Sequence, residues 1–467
     1  MAYTAFITRI KNVRQHPNAD RLQMGECFGN TVIVSMDYDD NQLGIYFPSD
    51  GQLSTEFAEA NNLLRKKDEN GNNIGGYMDP DKRNVTAIKL RGEKSDGLFL
   101  PLKSLESFGD TSTLQEGDRI DNFNGHEICC KYVPRKNVRH GHVSNGNKTR
   151  KNKANIAPLF TEHADTEQLA YNLGAFKSGD EIEITLKMHG TSQRTAHLPV
   201  FKGYKRTFWD KITRKEGTPI YDWGYVSGTR RTVLDNYDGG YYGSNEFREQ
   251  HSKFFEGKLW KGEEVYYEVV GFTHTGAPIM ADADNKKLND KEFVKQYGKT
   301  TTFSYGCDPN GMRENIAPGC VPAVLDKPQS DIYVYRMTMT NEDGDGVEYT
   351  PDFMRYRCEQ MGVKTVPVMT KFILHDYDIE MDTRTAGEIV KDIAERYYDG
   401  PDPVGKTHVR EGVVVRILNR PKFCAYKHKN WSFKALEGIV KVEAEAPDME
   451  EADGIDEEVI KHELSQR

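Results

Sequence analysis

A lysine ends a short alternation of apolar and polar residues in the segment Glu183-Ile184-Thr185-Leu186-Lys187-Met188-His189-Gly190-Thr191-Ser192. Such alternation is typical of a strand, and the glycine and hydroxyl residues that follow predict a phosphate-facing turn. Lys187 could act as a nucleophile there, while Gly190 would let the backbone approach a ligand. A protonated amine is not nucleophilic, so this role requires partial burial or a neighbouring cation that favours the neutral amine. The alternative is a strand-end lysine beside an ordinary turn.

Two glutamates stand at positions where a carboxylate needs a partner. Glu268 lies inside the apolar stretch Val265-Tyr266-Tyr267-Glu268-Val269-Val270-Gly271, where an unpaired charge would be costly. Its partner is either a structural salt bridge or a ligand. Glu411 precedes the apolar strand Gly412-Val413-Val414-Val415. A carboxylate at the mouth of such a strand can bind a metal ion beside phosphates.

Pairs of cations lie near two other predicted strands. Arg230 and Arg231 follow Val226-Ser227-Gly228-Thr229 and could hold a ligand phosphate, although ordinary surface arginines are the alternative. Lys427 and Lys429 are two residues apart on one strand, so both point to the same face. Each pair alone has an ordinary explanation. The set of lysines, arginines and carboxylates together indicates a phosphate site.

An aromatic strand, Asp331-Ile332-Tyr333-Val334-Tyr335, adds two rings to this set. Either Tyr333 or Tyr335 could stack on a nucleotide base. Core packing explains both rings almost as well, so the sequence leaves the choice open.

The elements that must position these residues differ along the chain. Residues 4–102 contain short apolar strands separated by Gly, Asn, Asp and Pro turns, which predicts a small antiparallel barrel. Residues 166–173 predict a short capped helix, and the spacing of Ile389, Ile393 and Tyr397 predicts another over residues 385–398. At 467 residues the chain is long enough for two or three domains.

The net charge of -9 does not by itself indicate nucleic-acid binding, but the charge is unevenly distributed. Residues 443–463 are rich in Asp and Glu, whereas residues 131–153 contain many cations and no acid. A basic stretch inside an acidic chain predicts a local polyanion site, and a solvated linker is the alternative. The candidate nucleic-acid-binding residues come from this basic stretch, together with one arginine of the predicted barrel, Arg91. Those of the basic stretch are Lys131, Arg135, Lys136, Arg139, Arg150 and Lys151.

Seven cysteines, of which only Cys129 and Cys130 are close together, provide neither a disulfide framework nor zinc-ligand spacing. The start of the chain lacks the features of a signal peptide, and no apolar run approaches the length of a membrane span. We therefore expect a reduced, cytoplasmic protein with no membrane partner.

Two N-terminal segments resemble OB-fold RNA-binding domains that are appended to tRNA synthetases, and the N-terminal domain of certain RNA ligases. They are His16-Pro17-Asn18-Ala19-Asp20-Arg21-Leu22 and Lys89-Leu90-Arg91-Gly92-Glu93-Lys94-Ser95-Asp96-Gly97-Leu98. The resemblance implies an α+β chain with an N-terminal OB-fold β-barrel. An adenylyltransferase (ATP-grasp-like ligase) domain of antiparallel sheets with flanking helices would follow. The expected domains are residues 1–132 (OB fold), 133–158 (basic linker), 159–445 (nucleotidyltransferase) and 446–467 (acidic tail).

The chemistry-bearing segments also resemble, in their order, the motif series of the covalent nucleotidyltransferases. That order is Lys187-x-x-Gly190, Ser227/Arg230, Glu268-x-x-Gly271, Tyr333-x-Tyr335, Glu411-Gly412 and Lys427-x-Lys429. Within this superfamily the chain looks most like ATP-dependent, nick-sealing RNA ligases. The resemblance implies that a 3′-hydroxyl RNA end is joined to a 5′-phosphate end through a lysyl-AMP intermediate. The implied cofactors are ATP and Mg²⁺ or Mn²⁺, and the implied partner is nicked duplex RNA or an RNA–DNA hybrid.

The resemblance also assigns roles to individual residues. The catalytic set is Lys187 as nucleophile, Glu268, Glu411, Lys427 and Lys429, with Glu268 and Glu411 also near the metal. The nucleotide-binding set is Met188, His189, Gly190, Arg230, Arg231, Tyr333, Tyr335 and Lys434. Three choices stay open: Arg230 or Arg231, Tyr333 or Tyr335, and which of Lys427, Lys429 and Lys434 holds the phosphate.

The sequence departs from the superfamily pattern at His189, where an aspartate is usual. Two other functions stay open beside the ligase. The first is a capping guanylyltransferase, in which GTP would label Lys187. The second is a binding protein whose OB domain and basic linker hold RNA beside a degenerate transferase core.

Overall fold

The computed structural model describes residues 3–67, 73–132, 156–161, 163, 166–208, 217–230, 233–234, 237, 245–311, 327–376, 384–436 and 440–441. The chain divides into two compact units. The first unit contains Met1–Gly141, Lys287–Asp290 and Lys434–Arg467, and the second contains His142–Lys286 and Lys291–Phe433.

The first unit consists mainly of short strands. The strands are β1 (Ala5–Arg9), β2 (Lys11–Gln15), β3 (Leu22–Cys27), β4 (Asn30–Ser35), β5 (Leu43–Phe47), β6 (Gly51–Leu53), β7 (Lys66–Lys67), β8 (Asn73–Gly75), β9 (Asn84–Val85), β10 (Ala87–Leu90), β11 (Glu93–Ser95), β12 (Leu98–Pro101), β13 (Arg119–Ile120), β14 (Asn122–Phe123), β15 (His126–Glu127) and β16 (Cys129–Lys131). Among the described residues, the α-helix α1 (Thr55–Ala60) and a 3-10 helix, Leu102–Phe108, accompany them.

Antiparallel pairing organises the first unit. The largest sheet has the order β12-β5-β1-β13, and β2-β3-β4 and β16-β6-β9 form smaller sheets. Ile7, Ile45, Phe47 and Phe57 are fully buried in its main core. The antiparallel character predicted from the sequence is therefore confirmed. The pairings among the residues described do not close a barrel, so the predicted closed barrel is not confirmed.

The second unit carries longer strands and most of the helices. Its strands are β17 (Glu167–Gln168), β18 (Glu181–Lys187), β19 (Thr191–Lys205), β20 (Thr218–Gly228), β21 (Glu263–Gly271), β22 (Ala283–Asp284), β23 (Thr300–Thr301), β24 (Ser330–Thr340), β25 (Gly346–Glu348), β26 (Lys364–Thr365), β27 (Val368–Ile373), β28 (Gly412–Ile417) and β29 (Ala425–Lys429). The helices are α2 (Glu246–Phe254), α3 (Lys291–Tyr297), α4 (Pro351–Met361), α5 (Ala386–Glu395) and α6 (Trp431–Leu436), of which α6 ends in the first unit. The last strand, β30 (Val440–Lys441), belongs to the first unit, where it pairs with β10.

Two sheets form the frame of the second unit. A five-stranded sheet has the order β17-β29-β28-β18-β27, and a six-stranded sheet contains β20-β19-β21-β24-β25, with β26 beside β24. In β18, Ile182 and Ile184 enter the core that helix α5 covers, so Thr185 and Lys187 lie on the opposite face. In β21, Val265 and Tyr267 enter the core beneath α2 and α4. Glu268 therefore lies on the face without helices.

The two helices predicted from the sequence had different outcomes. The helix predicted over residues 385–398 is confirmed as α5, and Thr385 and Glu388 cap it reciprocally. The helix predicted over residues 166–173 is wrong, because that segment is β17 followed by the 3-10 turns Leu169–Tyr171 and Leu173–Ala175. A segment of eight residues has too few internal hydrogen bonds to hold a helix when tertiary packing favours another conformation. None of the helices described is long and apolar enough to span a bilayer.

Candidate active site

A three-residue turn, residues 188–190, joins the two sheets of the second unit. Lys187 is the last residue of β18 in one sheet, and Thr191 is the first residue of β19 in the other. Gly190 allows this close passage, because a Cβ there would overlap the carbonyl oxygen of Val269 and lie 2.9 Å from Cγ of Glu268. The predicted turn after Lys187 is therefore present, and it forms the junction of the two sheets.

Strand register brings Lys187, Glu411 and Lys429 together. Gly412 is paired with Lys187 on one side and with Lys429 on the other, so Glu411 lies between the two lysines. Oε1 of Glu411 is 2.6 Å from Nζ of Lys187 and 3.1 Å from Nζ of Lys429. Glu411 is 2% exposed, so it lies in a setting where an uncompensated carboxylate would be very costly.

The two lysines keep Glu411 ionised. Burial raises the pKa of Glu411, but the ammonium groups of Lys187 and Lys429 outweigh this effect and lower the pKa to about 2. Both lysines bind the same oxygen, Oε1, whereas Oε2 is buried without a hydrogen-bond partner. Oε2 is therefore the carboxylate oxygen that still lacks a hydrogen bond, with Nδ1 of His189 3.8 Å away.

Glu268 approaches the same place from the six-stranded sheet. It is half-buried and pairs in register with Ser192 and Tyr333. Burial raises its pKa to about 7, although the nearby charge of Lys187 acts in the opposite direction. Within the part of the chain that the structure describes, Glu268 makes neither a salt bridge nor a hydrogen bond. The sequence left open whether Glu268 pairs with a protein cation or with a ligand. The described residues provide no salt-bridge partner, so the structure favours a ligand.

His189 fills the turn beneath Lys187 and is buried among rings. Its ring centroid is 4.7 Å from that of Phe303 and 4.6 Å from that of Phe433, in edge-to-face contacts. Burial lowers the pKa of His189 to about 3, so the imidazole is neutral at pH 7. The backbone N–H of His189 donates a 2.7 Å hydrogen bond to the hydroxyl of Tyr305. Met188 is also buried, at 4% exposure.

The two candidate tyrosines occupy different surroundings. The pairing of β21 with β24 contains a register shift, so Tyr335 has no partner residue in β21. The regular alternation of side chains between the two sheet faces around Tyr333 is therefore interrupted at Tyr335. The hydroxyl of Tyr335 lies 3.0 Å from Oγ of Ser192, and Tyr335 also experiences the charge of Glu268. The ring of Tyr333 instead lies 5.6 Å from Nζ of Lys364. Both rings therefore border Glu268, Tyr333 as its register partner and Tyr335 through Ser192, so the choice between them stays a prediction.

Cations surround this carboxylate on the six-stranded sheet. The positive charge of Arg230 acts on both Glu268 and Tyr335. Arg231 lies outside the residues described, so the choice between the two arginines stays a prediction. The sequence interpretation missed Arg248, a buried residue of α2. Its Nη2 is 2.5 Å from Oγ1 of Thr191, and its Nη1 donates to the carbonyl oxygen of Ser192.

Neither Arg248 nor Tyr305 carried a signal that the sequence interpretation could have used. Arg248 stands in a polar helical segment, and Tyr305 stands in a turn far from every motif. Only the folded chain brings them to residues 188–192.

The remaining lysine candidates have separate positions. Lys427 lies on the same strand face as Lys429, opposite Val414 of β28. Lys434 belongs to the first unit, where its Nζ is 2.6 Å from Oδ2 of Asp96. Its predicted phosphate contact stays a prediction.

The predicted nucleic-acid contacts lie mainly outside the described residues; these are Arg135, Lys136, Arg139, Arg150 and Lys151. Arg91 is exposed in the turn between β10 and β11, with a φ of 47°. Lys131 is exposed, and its Nζ lies 3.3 Å from Oδ2 of Asp50. Both belong to the first unit, and their roles stay predictions.

Oxygen donors make the site suitable for a hard divalent cation. Oε2 of Glu411 and the carboxylate of Glu268 are the available protein ligands. The described residues contain no cluster of three or more His, Cys, Asp or Glu side chains with metal-binding geometry. Mg²⁺ commonly uses one or two carboxylates and completes its shell with water and substrate phosphates, so this donor set fits it.

Comparisons with known proteins give results for fold only. No protein-family model matches this chain. No curated protein matches it significantly either.

Solved structures do match it. A variant of the Naegleria gruberi RNA ligase with ATP and Mn has a TM-score of 0.52 and 16% identity, covering 94% of this chain and 99% of that chain. Another variant, with AMP and Mn, has a TM-score of 0.53 and 15% identity, covering 93% and 98%. The same ligase with PPi has a TM-score of 0.52 and 15% identity, covering 92% and 97%. The chain therefore has the fold of these RNA ligase structures over nearly its whole length.

Proposed function

We propose that this protein is an ATP-dependent RNA ligase that joins a 3′-hydroxyl end to a 5′-phosphate end through a lysyl-AMP intermediate. The observation that carries the proposal is the bond between Lys187 and the buried Glu411, with Lys429 on the same oxygen and Glu268 on the facing sheet. The fold agrees with it, since the similar structures are RNA ligases with ATP, AMP or PPi.

In the first step, Nζ of Lys187 attacks the α-phosphorus of ATP. A P–N bond forms, the bond to the pyrophosphate oxygen breaks, and pyrophosphate leaves with its electron pair. The ammonium group must first release a proton to solvent water, and Glu411 holds the group in place until then. Lys429, which is bound to the same oxygen of Glu411, and Lys427 face the same space and neutralise charge on the phosphate oxygens.

The six-stranded sheet supplies the groups that bind the nucleoside. Tyr335 is the better candidate for stacking on adenine, since its hydroxyl reaches Ser192 beside Glu268. Glu268 binds the ribose or a metal-bound water, and Arg230 orients a phosphate. Gly190 lets the turn after Lys187 pack directly against Val269 and Glu268 of the six-stranded sheet.

Glu411 Oε2 and Glu268 would hold Mg²⁺ or Mn²⁺, with the phosphates of ATP as further ligands. The ion would neutralise negative charge on the reacting phosphate oxygens. The protein keeps Glu411 ionised for this purpose, because two lysines hold its pKa at about 2.

In the later steps AMP passes to an RNA 5′-phosphate, and the 3′-hydroxyl displaces it to form the phosphodiester. The substrate is a nick in duplex RNA or in an RNA–DNA hybrid. The first unit, as an OB-like module with Arg91 and Lys131, and the basic segment after it provide sequence-independent phosphate contacts.

The test is covalent labelling. The protein is incubated with α-labelled ATP or GTP and Mg²⁺ or Mn²⁺, and adducts are resolved on a denaturing gel. We expect ATP to label the wild-type chain and Lys187→Ala to abolish the label. Lys202→Ala, which removes an exposed lysine of β19, serves as the matched control and should label normally.

Each alternative has its own result. Labelling by GTP would indicate a capping guanylyltransferase, and absence of label with both nucleotides would favour an RNA-binding protein. Label that persists on Lys187→Ala would mean that the nucleophile is another residue. An ATP adduct that seals nicked RNA would support the complete proposal.

A further inference from the structure

We propose that Tyr305 is a positioning residue that holds the turn after Lys187 in the conformation needed for attack on ATP. This inference rests on the proposed function. Tyr305 stands 118 positions after Lys187 and belongs to none of the motifs in the sequence. Three observations support it: a strained backbone, a buried hydrogen bond to the turn, and a packed support behind the ring.

The backbone of Tyr305 is held in an unfavourable conformation. Residues 304–307 form a tight turn in which the N–H of Cys307 donates to the carbonyl oxygen of Ser304. Both central residues have positive φ, 49° at Tyr305 and 81° at Gly306. Glycine or asparagine adopts such a φ with little strain, whereas a bulky aromatic residue does not. A tyrosine is therefore retained here against backbone preference, which points to a role for its side chain.

That side chain provides the hydrogen bond that the turn needs. Tyr305 is 3% exposed, and its hydroxyl accepts the N–H of His189 at 2.7 Å. His189 lies between β18 and β19, so this N–H has no place in either sheet ladder. A buried N–H without an acceptor costs about 1–3 kcal/mol, so the hydroxyl fixes the peptide that precedes His189.

A closed loop supports the ring from behind. The ring centroid of Tyr305 is 4.6 Å from that of His408, in an edge-to-face contact. Asp402 closes the loop that carries His408: its Oδ1 accepts the N–H groups of Val404 and Gly405, and its own N–H donates to the carbonyl oxygen of His408. Gly405 is packed so closely against His408 that a Cβ would overlap Nε2. The ring of Tyr305 therefore has little freedom to move.

The consequence is specific to one chemical step. Lys187 acts as the attacking group only when it takes AMP from ATP. Loss of the hydroxyl should slow formation of the lysyl-AMP adduct, whereas joining of an RNA whose 5′ end already carries AMP does not need that attack. A residue that merely stabilises the fold would affect both steps alike.

The experiment compares Tyr305→Phe with the wild type and with Tyr349→Phe. Tyr349 is also a buried tyrosine of the second unit, and its hydroxyl donates to Glu263 at 3.0 Å, away from the turn. Single-turnover adduct formation is measured at saturating ATP, and ligation of a 5′-adenylated RNA at a nick is measured without ATP. We expect Tyr305→Phe to form the adduct about tenfold more slowly and to ligate at an unchanged rate. A tenfold change in rate corresponds to the free energy of about one hydrogen bond. Tyr349→Phe should form the adduct at the wild-type rate.

A second variant acts on Tyr305 from a distance. Asp402→Ala opens the loop that carries His408 and should slow adduct formation by a smaller factor, again with ligation spared. Adduct formation at the wild-type rate in Tyr305→Phe, or an equal slowing of both reactions, would overturn the positioning role. A wild-type chain that forms no adduct would instead refute the proposed function, so the two failures are distinguishable.

Discussion

Two glutamates face each other across the candidate site, and their environments make them chemically different. Glu411, on the five-stranded sheet, is bound by two lysines, and its pKa falls to about 2. Glu268, on the six-stranded sheet, is desolvated with no bonded cation among the described residues, and its pKa rises to about 7. The same side chain is thus a permanent anion on one sheet and close to half-protonated at neutral pH on the other.

Strand register explains this difference. Gly412 is paired with both Lys187 and Lys429, so the residue before it meets two ammonium groups. The register partners of Glu268 are Ser192 and Tyr333, which are neutral. The five-stranded sheet therefore carries a preformed charge cluster, whereas the six-stranded sheet carries a carboxylate that gains a partner only when a ligand arrives. We infer that the first sheet holds the nucleophile and the second responds to the nucleotide.

The strongest way to break this contrast is Glu411→Gln, which leaves Lys187 and Lys429 side by side without their shared anion. Removing one partner of a buried ion pair costs about 3–5 kcal/mol, and we expect urea unfolding to report a loss of this size. Because Lys187 also loses the group that orients it, lysyl-AMP formation should fall by at least about 100-fold.

Glu249→Gln is the control for that loss. Glu249 is 36% exposed and pairs with Lys253 of the same helix at 2.8 Å, a surface contact worth at most about 1 kcal/mol. Equal stability losses in the two variants would mean that the buried cluster around Glu411 has no special energetic role.

The junction between the two sheets is tested by Gly190→Ala. The added Cβ overlaps the carbonyl oxygen of Val269 and presses on Glu268, so the sheets must shift apart there. Overpacking of this kind costs about 1–3 kcal/mol, and we expect adduct formation to fall by about tenfold. Gly174→Ala is the matched control, because a Cβ at Gly174 meets nothing within 4 Å. Wild-type labelling by Gly190→Ala would show that the junction tolerates displacement.

Local patterns in the sequence predicted much of this arrangement. The alternation before Lys187 predicted β18, and the helical spacing between Thr385 and Tyr398 predicted α5. The interpretation of an apolar run with one carboxylate also singled out Glu268. These features could be predicted from the sequence because hydrophobic periodicity and the burial it implies are properties of contiguous residues. The order of the motifs then grouped Lys187 with Glu411 and Lys429, which the structure places in contact.

Contacts between segments that are distant in the chain could not be predicted from the sequence. Tyr305 reaches the turn, and His408 reaches Tyr305, only through the folding of loops that carry no periodic pattern. Arg248 reaches Thr191 from a separate helix. The register shift that separates Tyr335 from Tyr333 depends on pairing with β21, not on the composition of the strand. The segment at residues 166–173 failed for a related reason, since tertiary pairing with β29 competes with a weak helix.

The smallest expected effect comes from Glu268. It tests the difference between the two glutamates by varying the pH. The folded-state pKa of Glu268 is about 7, above its ordinary value of 4.5. Between these values the folded chain keeps a proton that the unfolded chain has lost, so stability falls as pH rises through this window. Glu268→Gln removes that titration. Relative to the wild type, the variant should gain about 2 kcal/mol in unfolding free energy between about pH 5 and pH 7.5.

The same window separates the two carboxylates. Because the pKa of Glu411 is lowered to about 2, its stabilising effect is complete above its ordinary value of 4.5 and is lost only as pH falls from there towards 2. Glu411 therefore adds no slope between pH 5 and pH 7.5, and any difference in slope between wild type and Glu268→Gln belongs to Glu268. Parallel urea-unfolding curves for the two proteins across that range would mean that Glu268 is ionised throughout and already has a partner in the free protein.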